Sequence, residues 1–347
     1  FQCTEKQEVQ STRTGSRDKS TDLLSHVITV KLIIMKEELF ISGRDIPNID
    51  PFLNIWHWQI PIYLYLGGLA AGILFFAGIF TIMGKDKEMS TTVKWAPFLV
   101  PAALVIGLFM LFLDLKHQLF FWRLYTTVRF ESPMSWGAWV LMIITPLSFI
   151  WAATYLKELR PSWNWRFKLL ENFEKFAIQN RKVMAWAMII LSIVLGIYTG
   201  ILLSAFNARP LWNNSILGPL FLVSGLSTGT AVIMWMTKDH RERKIMSRID
   251  LVLIIVELFF ITHMIMGMLA GSSVQIAAAE LFLGGQFTVS FWVFVIILGL
   301  VFPAVLEVLE LSGYKIPVMI PALLVLFGGL VFRFIMVEAG QITRYLY

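Results

Sequence analysis

The stretch at residues 60–83, IPIYLYLGGLAAGILFFAGIFTIM, decides the fold class because it contains no charged side chain over 24 residues. A helix needs about 20 such residues to cross the apolar core of a bilayer. The same pattern recurs at about residues 96–115, 136–156, 183–206, 216–237, 250–270, 288–309 and 317–338. The sequence therefore predicts an all-α integral membrane protein with eight transmembrane helices. Four Gly-x-x-x-Gly pairs in or at the ends of these stretches predict close helix packing.

The composition of the whole chain agrees with this fold class. Of its 347 residues 57% are hydrophobic and 15% are charged, and the mean hydropathy is +0.71. Soluble domains carry about 25% charged residues, so a soluble enzyme is excluded. Strands of membrane β-barrels alternate apolar and polar residues. The apolar stretches of this sequence are unbroken, so a β-barrel is excluded as well. Cys3 is the only cysteine, so this chain alone cannot supply a disulfide framework or the ligands of a four-thiolate iron–sulfur cluster.

The formal net charge of +6 could indicate nucleic-acid binding or membrane topology. The loops after the first, third, fifth and seventh helices carry sixteen Lys and Arg residues, whereas the opposite side carries seven from Met35 onward. Basic loops stay in the cytoplasm, so we predict both termini outside it and no nucleic-acid partner. The basic segment 157–182 is predicted to be an amphipathic connector on the cytoplasmic membrane surface.

Haem ligation requires histidines that face each other inside the bundle. Of the five histidines only His263 lies deep in a predicted span, so we expect no haem. Ionisable side chains within a membrane are candidates for function. Glu257 and His263 are predicted to form part of a polar track in the sixth helix, and with Glu307 they are candidates for a proton path. The alternatives are that Glu257 pairs with a neighbouring helix and that Glu307 extends into the headgroups.

Polar and aromatic side chains gather at the outer ends of the first four helices, because antiparallel neighbours bring these ends together. The candidates are His57, Tyr63, Asp114, Trp136, Tyr198 and Arg209. Aromatic walls with a few hydrogen-bonding groups suit a quinone headgroup. An interfacial aromatic belt is the alternative, and it explains tryptophans better than buried tyrosine hydroxyls or Asp114.

We expect a separate role for each of these side chains. The Tyr198 hydroxyl is expected to donate to a quinone carbonyl, and Asp114 is expected to accept a proton as quinol is oxidised. Tyr63 would contact the other side of the headgroup and Trp136 would form a wall. Arg209 either steadies Asp114 electrostatically or fixes the loop after the fourth helix.

These motifs together resemble the membrane subunits of the NrfD/PsrC family, over about residues 50–338. The resemblance rests on Trp58, Tyr63-Leu-Tyr-Leu-Gly-Gly-Leu-Ala-Ala-Gly72, Leu113-Asp-Leu115, Ser132-Pro-Met-Ser-Trp-Gly-Ala-Trp139, Tyr198-Thr-Gly200 and Asn207-Ala-Arg-Pro-Leu-Trp-Asn213. It is strongest in the first four helices. Tyr63 and Ile60 stand where the polysulfide reductase version carries a histidine and an asparagine.

The resemblance implies two four-helix bundles, here residues 60–206 with a quinone site and residues 207–347. Residues 35–59 would form a periplasmic segment, and we interpret residues 1–34 as a non-native or disordered extension. The resemblance further implies a haem-free subunit of the bacterial or archaeal cytoplasmic membrane. Its implied partners are a periplasmic four-cluster iron–sulfur subunit and a molybdopterin or cytochrome catalytic subunit.

The predicted function is that of a membrane subunit of a respiratory oxidoreductase complex. It would oxidise quinol, such as menaquinol or ubiquinol, or reduce the quinone, and exchange electrons with the iron–sulfur subunit. The alternative is an ion-coupled secondary transporter, in which buried carboxylates would serve substrate movement. Transporters of that class pair broken helices in their two halves, and Pro219 and Pro303 form no obvious repeat of this kind.

Overall fold

The computed structural model describes residues 56–160 and 168–345. Eight of its helices are long and apolar enough to cross a membrane, as predicted. They are α1 (Gln59–Ile82), α2 (Thr91–Asp114), α3 (Pro133–Leu159), α4 (Arg181–Ser204), α5 (Leu217–Met236), α6 (His240–Leu269), α7 (Ser290–Leu311) and α8 (Met319–Ile342). No strand occurs within these described residues, so the all-α class is confirmed. We call the end at which α1 begins the outer end, and the opposite end the inner end.

One helix boundary differs clearly from the prediction. Helix α6 begins at His240, about three turns before the predicted start at residue 250. The Asp239 side chain caps it by accepting a hydrogen bond from the Arg241 amide. Hydropathy missed these turns because they are polar, yet Glu242 within them is buried and fully bonded. The sixth helix therefore carries more buried acidic residues than predicted.

Two helices of twelve and eleven residues lie outside the spans. The connector between α3 and α4 forms a helix over Lys168–Gln179, which we call the surface helix. Its strong separation of polar and apolar sides agrees with the predicted amphipathic connector, of which residues 161–167 lie outside the described part. At the outer end Ser273–Leu283 forms a further helix, whose start is fixed by a capping box between Ser272 and Gln275.

Helices α1 and α5 form the centre of the structure, where two glycine pairs meet. A Cβ atom on Gly72 would collide with the backbone of Gly225, and one on Gly229 would collide with Gly72. The backbones of α1 and α5 can approach this closely only because these positions lack side chains. The predicted packing role therefore holds here, but nothing lies within 4 Å of the position that a Cβ atom on Gly267 would take.

Helix α1 also packs against α2, α4 and α8, and α5 also packs against α4, α6 and α8. The eight spans belong to one compact unit. The division at residues 206 and 207 into two bundles stays a prediction. Helices α1 and α5 pack against each other across this division as closely as they pack against helices of their own halves. The predicted extension 1–34 and most of segment 35–59 lie outside the described residues.

Candidate functional site

A cavity of about 240 Å³ lies between the outer ends of α1 to α4. It brings together three of the predicted site residues: Tyr63 of α1, Asp114 of α2 and Tyr198 of α4. Most of the remaining wall is apolar, from Trp56, Ile60, Leu111, Met134, Ala138, Leu141 and Leu202. An apolar cavity with a few convergent polar groups is the usual form of a small-molecule site.

The two tyrosines supply buried hydroxyl groups to this cavity. Tyr63 is 2% exposed and Tyr198 is 7% exposed, and their phenol groups adjoin each other. The Tyr63 hydroxyl makes no hydrogen bond of standard geometry with any described residue. Buried polar groups are rarely left without a partner, so this hydroxyl is free to bind a polar atom of a ligand.

The position of the Tyr198 ring depends on a glycine in the motif Ser132–Trp139. A Cβ atom built on Gly137 of α3 would overlap the Tyr198 ring at Cζ, Cε1 and the hydroxyl oxygen. The ring therefore occupies space that any other residue at position 137 would fill. This contact explains why a glycine stands between Trp136 and Ala138 at the start of α3.

Asp114 is the last residue of α2 and places its carboxylate at the cavity wall. Its Oδ1 atom lies 3.2 Å from Nδ1 of His57. The Asp114 side chain is 8% exposed, whereas the His57 side chain is 57% exposed. The pair therefore connects a buried carboxylate with an imidazole at the outer surface, which is an arrangement that can pass a proton outward.

The loop that follows α2 closes the cavity, and sequence reasoning missed its contribution. Lys116, Leu124 and Tyr125 reach the cavity from this loop. Burial raises the pKa of the Tyr125 phenol, so this group stays protonated and can donate a hydrogen bond. The clustering of aromatic and basic residues at 116–130 was the available signal, but a loop's path cannot be derived from span periodicity.

Besides His57, which adjoins the cavity only through Asp114, two predicted residues do not line it. Trp136 is half exposed, and its indole N–H donates to the Phe130 carbonyl at 2.8 Å. Arg209 donates to the carbonyls of Gln341 and Thr343 at 3.0 and 2.7 Å. Of the two roles considered for Arg209, these bonds favour fixing the loop after α4, which they tie to the end of α8.

A second polar group of residues lies between α5, α6 and α7, nearer the inner end. Asp250 accepts a hydrogen bond of 2.7 Å from the Thr230 hydroxyl, and its Oδ2 atom has no partner among the described residues. The Glu307 side chain adjoins Asp250 and Ser247, although neither of its oxygens makes a hydrogen bond of standard geometry. Asp250 and Glu307 are both fully buried. Glu307 therefore does not extend into the headgroups.

Further along α6, Glu257 adjoins Ser224 and Arg333. Arg333 is 1% exposed, and its guanidinium donates to the Ser224 hydroxyl at 2.5 Å and to the Phe221 carbonyl at 3.2 Å. Arg333 of α8 is near enough to act electrostatically on Glu257, but the two form no ion pair within 4 Å, so the pairing alternative stays open. His263 points elsewhere, because it is exposed and stacks on Phe259 with ring centroids 5.6 Å apart.

Glu242 completes this acidic side of α6 at the inner end. Its carboxylate accepts hydrogen bonds from the Thr92 amide and hydroxyl at 2.6 and 2.7 Å and from the Thr237 hydroxyl at 2.8 Å. Glu242 therefore joins the start of α6 to α2 and to the residue after α5. Nowhere in residues 56–160 and 168–345 do three His, Cys, Asp or Glu side chains form a group that could hold a metal ion.

The protein is similar in sequence to known membrane proteins along most of its length. The family model described as "Polysulphide reductase, NrfD" matches residues 49–344. The C subunit of polysulfide reductase from Wolinella succinogenes is 33% identical over 83% of this sequence and 94% of its own length. Protein NrfD of Escherichia coli and the NrfD homolog of Haemophilus influenzae are each 30% identical over 83% of this sequence and 96% and 95% of their own lengths. This multi-pass membrane protein therefore belongs to the NrfD family of polysulfide reductase-like proteins.

Proposed function

We propose that this protein is the quinone-reactive membrane subunit of a respiratory oxidoreductase complex. The observation that carries the proposal is the outer cavity, where the unpartnered hydroxyl of buried Tyr63 adjoins Tyr198 within apolar walls. A quinone headgroup is an apolar ring with two carbonyl oxygens, and phenol hydroxyls donate to such oxygens. The apolar walls accommodate the ring and exclude water. The residues present therefore fit a quinone or quinol as substrate.

The quinone supplies the redox chemistry, and the residues of this protein bind it and handle its protons. Tyr63 and Tyr198 hold the headgroup by donating hydrogen bonds. Asp114 accepts a proton released on quinol oxidation, and His57, 3.2 Å away, passes it to the outer surface. Reduction of a quinone uses the same groups in reverse.

Electrons have to leave through another protein, because this sequence has no four-cysteine set for a cluster. The Wolinella relative is named as one component of a polysulfide reductase, which describes part of a complex. We propose an iron–sulfur subunit as the direct partner, with a molybdopterin or cytochrome subunit beyond it. The loop above the cavity is its docking surface, since Leu119, Phe121 and Phe130 are exposed there.

A proton path at the inner end is a further part of this proposal. A cavity of about 570 Å³ lies at that end, lined by Glu310, His240, Arg243 and other polar residues. Glu310 is one turn from Glu307 on α7, and Glu307 adjoins Asp250. The proposed path runs from this cavity through Glu307 and Asp250 toward Glu257. His263 was a candidate for the same role, but the structure does not bring it to these residues.

The test is kinetic and uses the complex purified through this protein. Tyr198→Phe removes one hydroxyl and is expected to raise the KM for a soluble menaquinol or ubiquinol analogue. Asp114→Asn removes the proton acceptor and is expected to lower kcat about a hundredfold. Tyr155→Phe is the matched control, because this buried tyrosine lies near the inner end of α3 and lines neither the outer cavity nor the inner one.

The proposal fails if both variants keep wild-type kinetics in a fully assembled complex. It also fails if no iron–sulfur protein co-purifies with this subunit and the purified subunit binds no quinone analogue. Substrate-dependent ion flux by this subunit alone in proteoliposomes would instead support the transporter alternative.

A further inference from the structure

An apolar groove of about 470 Å³ opens at the inner end beneath the surface helix, at the end of α3 opposite to the outer cavity. Its walls come from α2, α3 and the surface helix, and include Pro101, Phe149, Leu156 and Phe173. Small-molecule sites have volumes of about 300–1,000 Å³ and mostly apolar walls. The groove therefore has the size and lining of a binding site, and the proposed quinone chemistry does not use it.

A buried ion pair holds the surface helix over this groove. Glu174 is 4% exposed, and its Oε2 atom lies 2.5 Å from Nζ of Lys157 at the end of α3. The neighbouring apolar residues Leu169 and Phe176 are 77% and 62% exposed. An amphipathic helix with exposed apolar residues of this kind lies at the boundary between headgroups and acyl chains. The groove is therefore at the depth where the acyl chain of a phospholipid begins.

The charges around the groove favour an anionic headgroup. Three acidic residues around the groove are already paired with basic ones, in the contacts Lys157–Glu174, Lys175–Glu171 and Lys94–Glu158. Arg160 and Lys168 are exposed and make no ion pair with described residues. Arg160 follows α3 directly and Lys168 begins the surface helix. Arg160 is four residues from Leu156, and Lys168 is two residues from Leu170; both leucines line the groove.

We propose that this groove is a specific site for an anionic phospholipid of the leaflet at the inner end. One acyl chain occupies the apolar groove, and the phosphate group is bound by Arg160 and Lys168. The site secures the surface helix and, through Lys157, the inner end of α3. It lies at the end of α3 opposite to the Gly137 contact with Tyr198, so it is separate from the quinone cavity.

Native mass spectrometry of the detergent-purified protein tests this proposal with two defined lipids. Dioleoyl phosphatidylglycerol is the anionic probe, and dioleoyl phosphatidylcholine is the zwitterionic control. We expect one phosphatidylglycerol to be retained at least about tenfold more strongly than phosphatidylcholine, since each tenfold step corresponds to about 1.4 kcal/mol. The double variant Arg160→Gln, Lys168→Gln should lose this preference.

Two further variants separate a lipid site from a general charge effect. Lys238→Gln, Arg248→Gln removes two charges from the same end of the protein and should keep the preference. Ala153→Phe fills the groove and should abolish retention of either lipid while circular dichroism remains unchanged. Equal retention of both lipids by the wild-type protein would overturn the proposal. The proposal would also be overturned if the Arg160→Gln, Lys168→Gln variant and the Ala153→Phe variant both retained phosphatidylglycerol as strongly as the wild-type protein.

Discussion

Replacing Gly137 by alanine tests the link between the start of α3 and the Tyr198 phenol. The added methyl group would occupy the position of the Tyr198 ring, overlapping Cζ, Cε1 and the hydroxyl oxygen. Helix α3 cannot retreat without moving its whole first turn, so we expect the ring to move instead. The Tyr198 hydroxyl then leaves the place where it adjoins Tyr63.

The magnitude follows from the loss of one hydrogen bond to the ligand. Such a bond contributes about 0.5–1.5 kcal/mol, which weakens quinone binding about two- to thirteenfold. Overpacking adds a separate cost in the free energy of unfolding of about 1–3 kcal/mol. Gly137→Ala should therefore resemble Tyr198→Phe in quinone affinity, and it should also lower stability.

The assay is equilibrium binding of a soluble naphthoquinone to the purified protein, followed by tryptophan fluorescence. The matched control is Gly67→Ala in α1, because a methyl group there has its nearest neighbour, Thr199 Cγ2, at an ordinary 3.8 Å. The double variant Gly137→Ala, Tyr198→Phe should bind nearly as well as either single variant, since both remove the same bond.

Wild-type affinity in Gly137→Ala would refute this reasoning. Strictly additive losses in the double variant would also contradict it, because they would mean that the methyl group acts somewhere other than the Tyr198 hydroxyl. An equal loss in Gly67→Ala would show that the assay reports general damage to the bundle.

Arg333→Met is expected to destabilise the detergent-solubilised protein by about 1–3 kcal/mol, because it leaves the Ser224 hydroxyl and the Phe221 carbonyl without their buried donor. Glu257→Gln in the same protein should restore part of the loss, because the guanidinium also acts electrostatically on that carboxylate; additive losses in unfolding experiments would argue against this coupling. Burial raises the pKa of Asp86 in the loop after α1, so the folded state holds that proton more tightly and stability falls as pH rises through the weakly acidic range. Asp86→Asn should flatten this pH dependence in thermal unfolding, and an unchanged slope would contradict it. In a cysteine-free background an impermeant thiol reagent added from outside should modify a cysteine at Gln118 and not one at Asn172; the reverse labelling would invert the predicted orientation.

The sequence was sufficient to predict the eight spans and the meeting of Tyr63, Asp114 and Tyr198. Long charge-free stretches leave few choices for a polypeptide in lipid, because every backbone polar group has to bond within its own helix. Successive antiparallel helices then bring their outer ends to one level. The depth of a residue in the membrane therefore follows from its position along its helix. Residues at the same depth on successive helices are expected to lie close together.

Rotation of the helices about their own axes was not predictable in the same way. A span that is apolar on all sides carries little information about which side faces the protein. Trp136 is half exposed and His263 is exposed, although both lie at suitable depths. Lys116 and Tyr125 reach the cavity from the loop after α2. The path of a loop cannot be predicted from a periodic pattern.

The acidic side of α6 is a case in which the sequence does contain a usable signal. Glu242, Asp250 and Glu257 are separated by eight and seven residues, close to whole numbers of helical turns, so they share one side. All three are buried, but hydropathy alone assigns the first to a loop and the second to a helix end. Charged residues near the end of an apolar stretch do not show where the helix ends. The same pattern is found when the helix stops at the membrane surface and when it continues beyond that surface.

The buried charges beside α6 divide into two kinds, and this division supports different roles for them. Glu242 has its oxygens satisfied by threonines and joins three elements, so it is explained by structure alone. The guanidinium of Arg333 is near enough to Glu257 to offset part of its charge. Asp250 and Glu307 adjoin each other without a balancing cation in the contacts described. Two adjacent carboxylates in an apolar interior repel each other and lack hydration, so both cannot stay ionised at once. The unbalanced charge of this adjacent pair is the feature that packing does not explain, and it makes Asp250 and Glu307 the stronger test of the inner proton path than Glu257.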